Sequence, residues 1–236
     1  MDDPQTYLVR LALPDRPGAL GSVAARFGAL KGDLIGLEII ERSAGLAVNE
    51  LVVSLPGGVP VELVVKELTA EEGVVVEDVR PLDELPYDPQ LDALEVASII
   101  LGCESRAELA HDLCVHVCRA VRSSWACVVD RRGGVRASWG DRPHDRWLES
   151  FVAGNPTVAG EAEDLQPRSL TDAVWVPLPA VGAALVVGRD GVADTTAIRA
   201  RERQRLAALA RIADAWFHRL GEPMPRGARA RHPSQR

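Results

Sequence analysis

The stretch Leu13-Pro14-Asp15-Arg16-Pro17-Gly18-Ala19-Leu20 decides the reading of the first third of this chain, because it divides two kinds of periodicity. Before it, Tyr7-Leu-Val-Arg-Leu-Ala-Leu13 alternates as a half-buried strand does. After it, Leu20, Val23, Ala24, Phe27 and Leu30 recur at helical spacing. The segment between is turn chemistry, and Pro17 suits a helix start, where a missing N–H costs nothing. Working outward, the helix ends near Lys31-Gly32-Asp33, and residues 34–42 read as a second strand. Ser43-Ala44-Gly45 is a tight turn and residues 46–55 a third strand, so these two strands pair antiparallel. Beyond Pro56-Gly57-Gly58, Val61, Val64, Val65 and Leu68 predict a second helix, and Gly73 leads into an extended run from Val74 to Arg80. The order is βαββαβ, the split βαβ or ferredoxin-like arrangement of an α+β fold.

In that order and at the end of the first strand, Asp15-Arg16-Pro17-Gly18-Ala19-Leu20 resembles the D/N-x-P-G-x-L signature of ACT domains, a likeness that covers residues 5–81. ACT domains commonly bind amino acids between two paired domains, although many only dimerise. The resemblance therefore implies a homodimer and a ligand site made of Asp15, Arg16, Pro17, Gly18, Ala19 and Leu20 with Leu34, Ile35 and Gly36 of a partner's second strand. Physical chemistry supplies a reason for such a site. Gly18 lets a ligand approach the main chain, and the N–H groups of Ala19, Leu20 and Gly21 at a helix start suit a carboxylate. An α-amino group would then take Asp15, or a carbonyl near residues 34–36, as acceptor. On the alternative reading Asp15 only caps the turn and Pro17-Gly18 only shape it.

Residues 82–90 are rich in proline and acid, which marks an extended linker. A helix follows over residues 91–101, where Leu91, Leu94, Ala97, Ser98 and Leu101 fall on one face, and a longer one over residues 106–122. Residues 125–130 and 135–139 form a hairpin across Arg131-Arg-Gly-Gly134. A short helix is expected over residues 145–153, a loop or weak strand over 154–171, and strands over 173–178 and 182–188. Asp194-Thr-Thr is expected to cap a terminal helix reaching Leu220, with an apolar side of Ile198, Leu206, Leu209, Ile212, Ala213, Trp216 and Leu220, and Glu202 among the solubilising charges. This order, with Val174-Trp-Val-Pro-Leu-Pro179, Ala184-Leu-Val-Val187 and the closing helix Ile198 to Phe217, resembles a GAF domain over residues 91–221, a sensory α/β module with an antiparallel sheet and flanking helices. Residues 222–236 read as a basic, disordered tail.

Charge and motif narrow the function. The net charge is −7, and residues 1–88 hold 7 basic against 16 acidic side chains, which argues against nucleic acid as a partner. The acidic start and the lack of a long apolar run predict a cytoplasmic protein that does not enter membranes. The four cysteines, Cys103, Cys114, Cys118 and Cys127, lie in one region and are expected reduced. His111, Cys114 and Cys118 share a helix side at spacing that would suit zinc or iron, but Ala110, Leu113, Val117 and Val121 make that side an apolar stripe in which the thiols pack as small hydrophobes. No cofactor or metal is expected. The chain carries no nucleophile elbow, phosphate loop or His-Glu-x-x-His motif, so it reads as a regulatory protein rather than an enzyme. It is expected to bind an amino acid and signal to a separate downstream protein. The alternatives are a non-sensing dimeric scaffold and an enzyme with an unrecognised site.

Overall fold

The computed structural model describes residues 3–82, 88–154, 168–170, 173–189 and 197–221. Most of the linker, the segment around Asp194 and the basic tail lie outside the described residues. The chain divides into two compact units, Met1–Tyr87 with Arg199–Arg201, and Asp88–Ile198 with Glu202–Arg236. Each is a mixed α+β structure in which an antiparallel sheet is flanked by helices.

The first unit runs β1 (Gln5–Pro14), α1 (Ala19–Ala29), β2 (Asp33–Ser43), β3 (Leu46–Leu55), α2 (Val61–Thr69) and β4 (Val75–Pro81). The strands lie in the order β2-β3-β1-β4, with β2 and β4 at the edges. Alternation along β1 sends Val9, Leu11 and Leu13 to the helical side, where they meet Val23 and Phe27 of α1, Leu51 and Val53 of β3, and Val64 and Leu68 of α2. Arg10 falls on the other face, directly opposite Glu50, and its Nε donates to Glu50 Oε1 at 3.0 Å. The β2–β3 hairpin closes on Ala44 and Gly45, both at positive φ, the geometry of the turn whose twist matches its strands.

The second unit runs α3 (Pro89–Gly102), α4 (Arg106–Val121), β5 (Trp125–Asp130), β6 (Val135–Trp139), α5 (Asp145–Gly154), β7 (Arg168–Leu170), β8 (Ala173–Leu178), β9 (Ala183–Gly188) and α6 (Ala200–Leu220). Its five strands are ordered β6-β5-β9-β8-β7. One face, with Ala126, Val128, Leu185 and Val187, packs on α4 and α6. The other, with Trp125, Cys127, Val129 and Val186, packs on α5. Strands covered on both sides read as continuous apolar runs, which is why Ala126-Cys-Val-Val129 and Ala184-Leu-Val-Val187 lack alternation.

Two expectations are corrected. Residues 197–199 are not helical and α6 starts at Ala200, so Ile198 is buried ahead of the helix rather than on it, while the expected cap Asp194-Thr-Thr lies outside the described residues. Glu202 is not a solubilising charge: it is buried against Arg189. On α3, Val96 and Ile100 turn inward toward α4, while Leu91, Leu94, Ser98 and Leu101 face outward.

Candidate functional site

The Pro-Gly turn after β1 is open. Asp15, Arg16, Pro17 and Gly18 are exposed, and Leu20 is half-buried. Gly18 stands at φ +88°, in the left-handed region that costs a side-chain-bearing residue about 1–2 kcal/mol, and it is the N-cap of α1 with no side-chain cap. A Cβ placed there would meet nothing within 4 Å. Asp15 is tied down on both sides: its N–H donates to Gly45 O at 2.9 Å, and its carboxylate lies 3.8 Å from Arg42 Nε in a solvent-facing ion pair.

The helix start is less available than the sequence suggests. The Ala19 N–H is taken by Arg16 O at 3.3 Å, which corrects the expectation that it points free toward a ligand. Leu20 and Gly21 have no main-chain acceptor among the described residues, which leaves two adjacent donors at the positive end of α1. Ala19 itself is buried in the core of the unit, where its methyl packs with Val23 and Phe27.

Leu34, Ile35 and Gly36 stand at the other end of the same sheet. Leu34 pairs with Val53, which pairs with Tyr7, whereas the turn follows Pro14, which pairs with Leu46 and through it with Ser43. Seven residues of β1 separate the two ends, roughly 23 Å at the rise of an extended chain. One chain does not bring the two halves of the expected site together. The segment does lie on an edge strand, bulged between Leu34 and Gly36, with Ile35 and Leu37 each nearly half exposed.

In the second unit, His111 is exposed while Cys114 and Cys118 are buried, so the three do not converge. No group of three or more His, Cys, Asp or Glu placed to hold a metal ion occurs among the described residues. Burial pushes the Cys118 thiol up to about 11 and the Cys127 thiol to about 12, Arg142 opposing the latter, and it raises Cys114 well above the ordinary range. Cys103 is raised to about 11 by burial and by the carboxylates of Asp112 and Glu108. At pH 8 a thiol with a pKa near 11 is thiolate in about one molecule in a thousand. Ellman titration of the folded chain is therefore expected to modify the four cysteines only as fast as the protein opens, and all four at once in denaturant. Rapid modification of any one without denaturant would contradict this placement.

A cleft that the sequence did not single out lies between β6 and α5, about 380 Å³ and lined by Ser138, Gly140, Asp141, Arg142, Pro143, His144 and Asp145. Arg142 is held by Asp145 at 2.7 Å and by Pro143 O at 2.9 Å. Gly140 turns the chain at φ +74°, where a Cβ would run into the Ser124 carbonyl. Beside the cleft, Trp147 stacks on Phe151 at 5.0 Å, and Phe151 meets Trp175 edge-on at 5.1 Å. The only sequence signal for this cleft was the breaker cluster Gly140-Asp-Arg-Pro143, which marks a turn and says nothing of its depth.

These observations define a two-unit α+β protein with an open glycine turn at a helix start and an unpaired sheet edge. No family model matches the chain, and no curated protein sequence matches it. Among solved structures it is similar to Myxococcus xanthus MglB, at 13% identity and a TM-score of 0.37 over 60% of this chain and 100% of that one. It is also similar to the bacteriophytochrome RpBphP3 from the photosynthetic bacterium R. palustris, at 11% identity and a TM-score of 0.38 over 78% of this chain and 47% of that one. A third likeness is to an unknown protein from Galdieria sulphuraria, at 14% identity and a TM-score of 0.31 over 42% of this chain and 64% of that one. At these TM-scores the likenesses assign neither a family nor an activity. No helix among the described residues is long and apolar enough to cross a membrane.

Proposed function

We propose that this chain is a cytoplasmic regulatory protein, an ACT-type ferredoxin-like unit followed by a GAF-like unit, that binds an amino acid at the Gly18 turn and passes the signal to a separate protein. The observation that carries the reading is the turn itself: an exposed Pro17-Gly18 with open space over Gly18 and two unclaimed amides, Leu20 and Gly21, at a helix start. The ligand carboxylate sits on those amides. Its ammonium group takes the solvent-facing carboxylate of Asp15 or a carbonyl from a second copy.

The second copy is needed because residues 34–36 of the same chain lie at the wrong end of the sheet. Antiparallel pairing of β2 with a partner's β2 would set the partner's Leu34 opposite Arg42, next to the turn, and so complete the site. A ligand seated there favours the paired arrangement in proportion to its differential affinity for it, and this is the whole of the regulatory mechanism.

The test is the melting temperature of the full chain with each of the twenty amino acids in turn. A ligand at a hundred times its Kd adds about 2.7 kcal/mol to the unit it binds, or about 10 °C or more for a unit of this size. Gly18→Val, which fills the open space and strains the turn, is expected to abolish that shift and to cost the unliganded unit about 1–2 kcal/mol through the left-handed φ. If none of the twenty moves the transition at millimolar concentration, the receptor reading is lost and the scaffold reading stands.

A further inference from the structure

Both edge strands of the first unit aim a carboxylate at one arginine from the far end of the chain. Besides Met1–Tyr87, that unit takes in Arg199–Arg201. The Arg199 guanidinium lies 3.5 Å from Glu41 Oε2 of β2 and forms a close ion pair with Glu77 of β4, all three side chains being less than a quarter exposed. Because β2 and β4 are the opposite edges of the sheet, one guanidinium ties both edges together. We propose that Arg199 is a latch: paired, it holds the two edge strands and the start of α6 in one arrangement, so that a change at either is felt at the other.

The strands are shaped for this contact. Alternation from Glu38, which stands opposite Glu50 on the helix-free side, would send residue 41 to the helical side, and alternation from Asp78, opposite Arg10, would send residue 77 there as well. In each strand a bulge intervenes. Ile40 is the extra residue of β2, between the pairs Ile39 with Asn49 and Glu41 with Val48, and Glu77 is the extra residue of β4, between Val76 with Leu11 and Asp78 with Arg10. A bulge re-aims a side chain, and here two separate bulges re-aim a glutamate at the same cation. The neighbouring ionisable groups do not replace that cation. Arg10 is matched by Glu50, and Arg80 by Asp78 at 3.2 Å, while Glu38 adds a further carboxylate opposite Glu50. The helix end of the latch has its own reason: Arg199 stands one residue ahead of α6, where a cation opposes the helix dipole, so the two carboxylates are what make the position favourable. From Glu202 onward α6 belongs to the second unit, with Leu206 and Leu209 in its core. One continuous helix therefore links the paired state of Arg199 to that core, and the coupling runs equally in both directions.

The latch does not depend on amino-acid binding, although Glu41 is followed by Arg42, the ion-pair partner of Asp15 at the Gly18 turn. It is tested without ligand, by hydrogen exchange of the full chain read by mass spectrometry. Glu77→Gln leaves α6 itself unaltered and is expected to speed exchange at residues 204–206, whose amides close the first turn of α6, by about tenfold or more. Arg199→Gln is expected to do the same, by about tenfold or more, to residues 39–43 and 75–79. In both variants the amides of α1 and α5 keep their rates, which separates a latch from a general loss of stability. The exchanged pair, Arg199→Glu with Glu77→Arg, is expected to return the α6 amides to within about threefold of the parent. Acceleration confined to the mutated segment, acceleration spread evenly over the chain, or no recovery in the exchanged pair would each overturn the proposal. Should Arg199→Gln fail to fold, the Glu77→Gln arm decides by itself.

Discussion

Arg189→Met is expected to cost the second unit about 3–5 kcal/mol, the range seen when one partner of a buried ion pair is removed. Arg189 and Glu202 are 6% and 3% exposed and form a close ion pair. The guanidinium also donates from Nε to Arg122 O at 3.0 Å, from Nη2 to Val121 O at 2.7 Å and from Nη1 to Ala197 O at 3.3 Å. Two of those carbonyls end α4, whose C-cap Arg122 sits in the left-handed region at φ 51°, so the side chain of β9's neighbour satisfies groups that the helix leaves open. The Met variant strands a carboxylate and removes donors from three carbonyls at once, each costing about 1–3 kcal/mol when buried and unmet. Glu202→Gln keeps the shape and the carbonyl contacts and is expected to cost less. The double variant Arg189→Met/Glu202→Met is expected to be milder than the sum of its parts, because no charge is then left buried alone. The measurement is urea unfolding followed by tryptophan fluorescence, which reports only this unit, since all five tryptophans (Trp125, Trp139, Trp147, Trp175 and Trp216) lie within it. An Arg189→Met midpoint within about 1 kcal/mol of the parent would show that the pair is dispensable.

The behaviour of Arg189 and Glu202 also marks where the sequence stops being informative. Strands whose two faces differ, such as β1, and turns with their own chemistry, such as Pro17-Gly18 and Ala44-Gly45, are legible because the cause lies within a few residues. The element order of both units follows from such local signals. Glu202 sits in a run of arginines and reads as a solvated charge; only the return of the chain through Arg189 makes it a buried partner. On α3, periodicity finds the stripe Leu91, Leu94, Ser98 and Leu101 correctly but says nothing about which side meets the core, because Val96 and Ile100 offer an equally apolar one. The start of α6 is misplaced for a related reason: Ile198 fits the helical apolar stripe by spacing, yet it is buried in the core ahead of the helix, which begins at Ala200. For the candidate site, the turn was legible, while the engagement of the Ala19 amide by Arg16 and the distance from Gly18 to Leu34 were not. Hydrogen-bond closure and strand register are properties of the folded sheet.

Gly188→Ala is expected to destabilise the second unit by about 3 kcal/mol, the upper part of the range for overpacked cores. Gly188 ends β9, directly opposite Trp125 on one side and Ala173 on the other. A Cβ there would lie inside the indole of Trp125, 2.5 Å from its Cε2, so the ring has to leave. It has nowhere to go: Trp125 is 2% exposed, and Trp147 packs edge-on against it at 6.3 Å. The glycine is therefore a space requirement rather than a conformational one. That distinction is what the experiment reads. If the cost is the lost space, Trp125→Leu, which is itself a large-to-small change in the core, should remove most of the additional penalty of Gly188→Ala when the two are combined, a coupling of about 2 kcal/mol in a double-mutant cycle. If the cost came instead from the backbone of β9, the two effects would simply add. Near-ultraviolet dichroism supplies a second readout, because displacement of Trp125 from its edge-on contact with Trp147 alters the exciton signal even in molecules that remain folded.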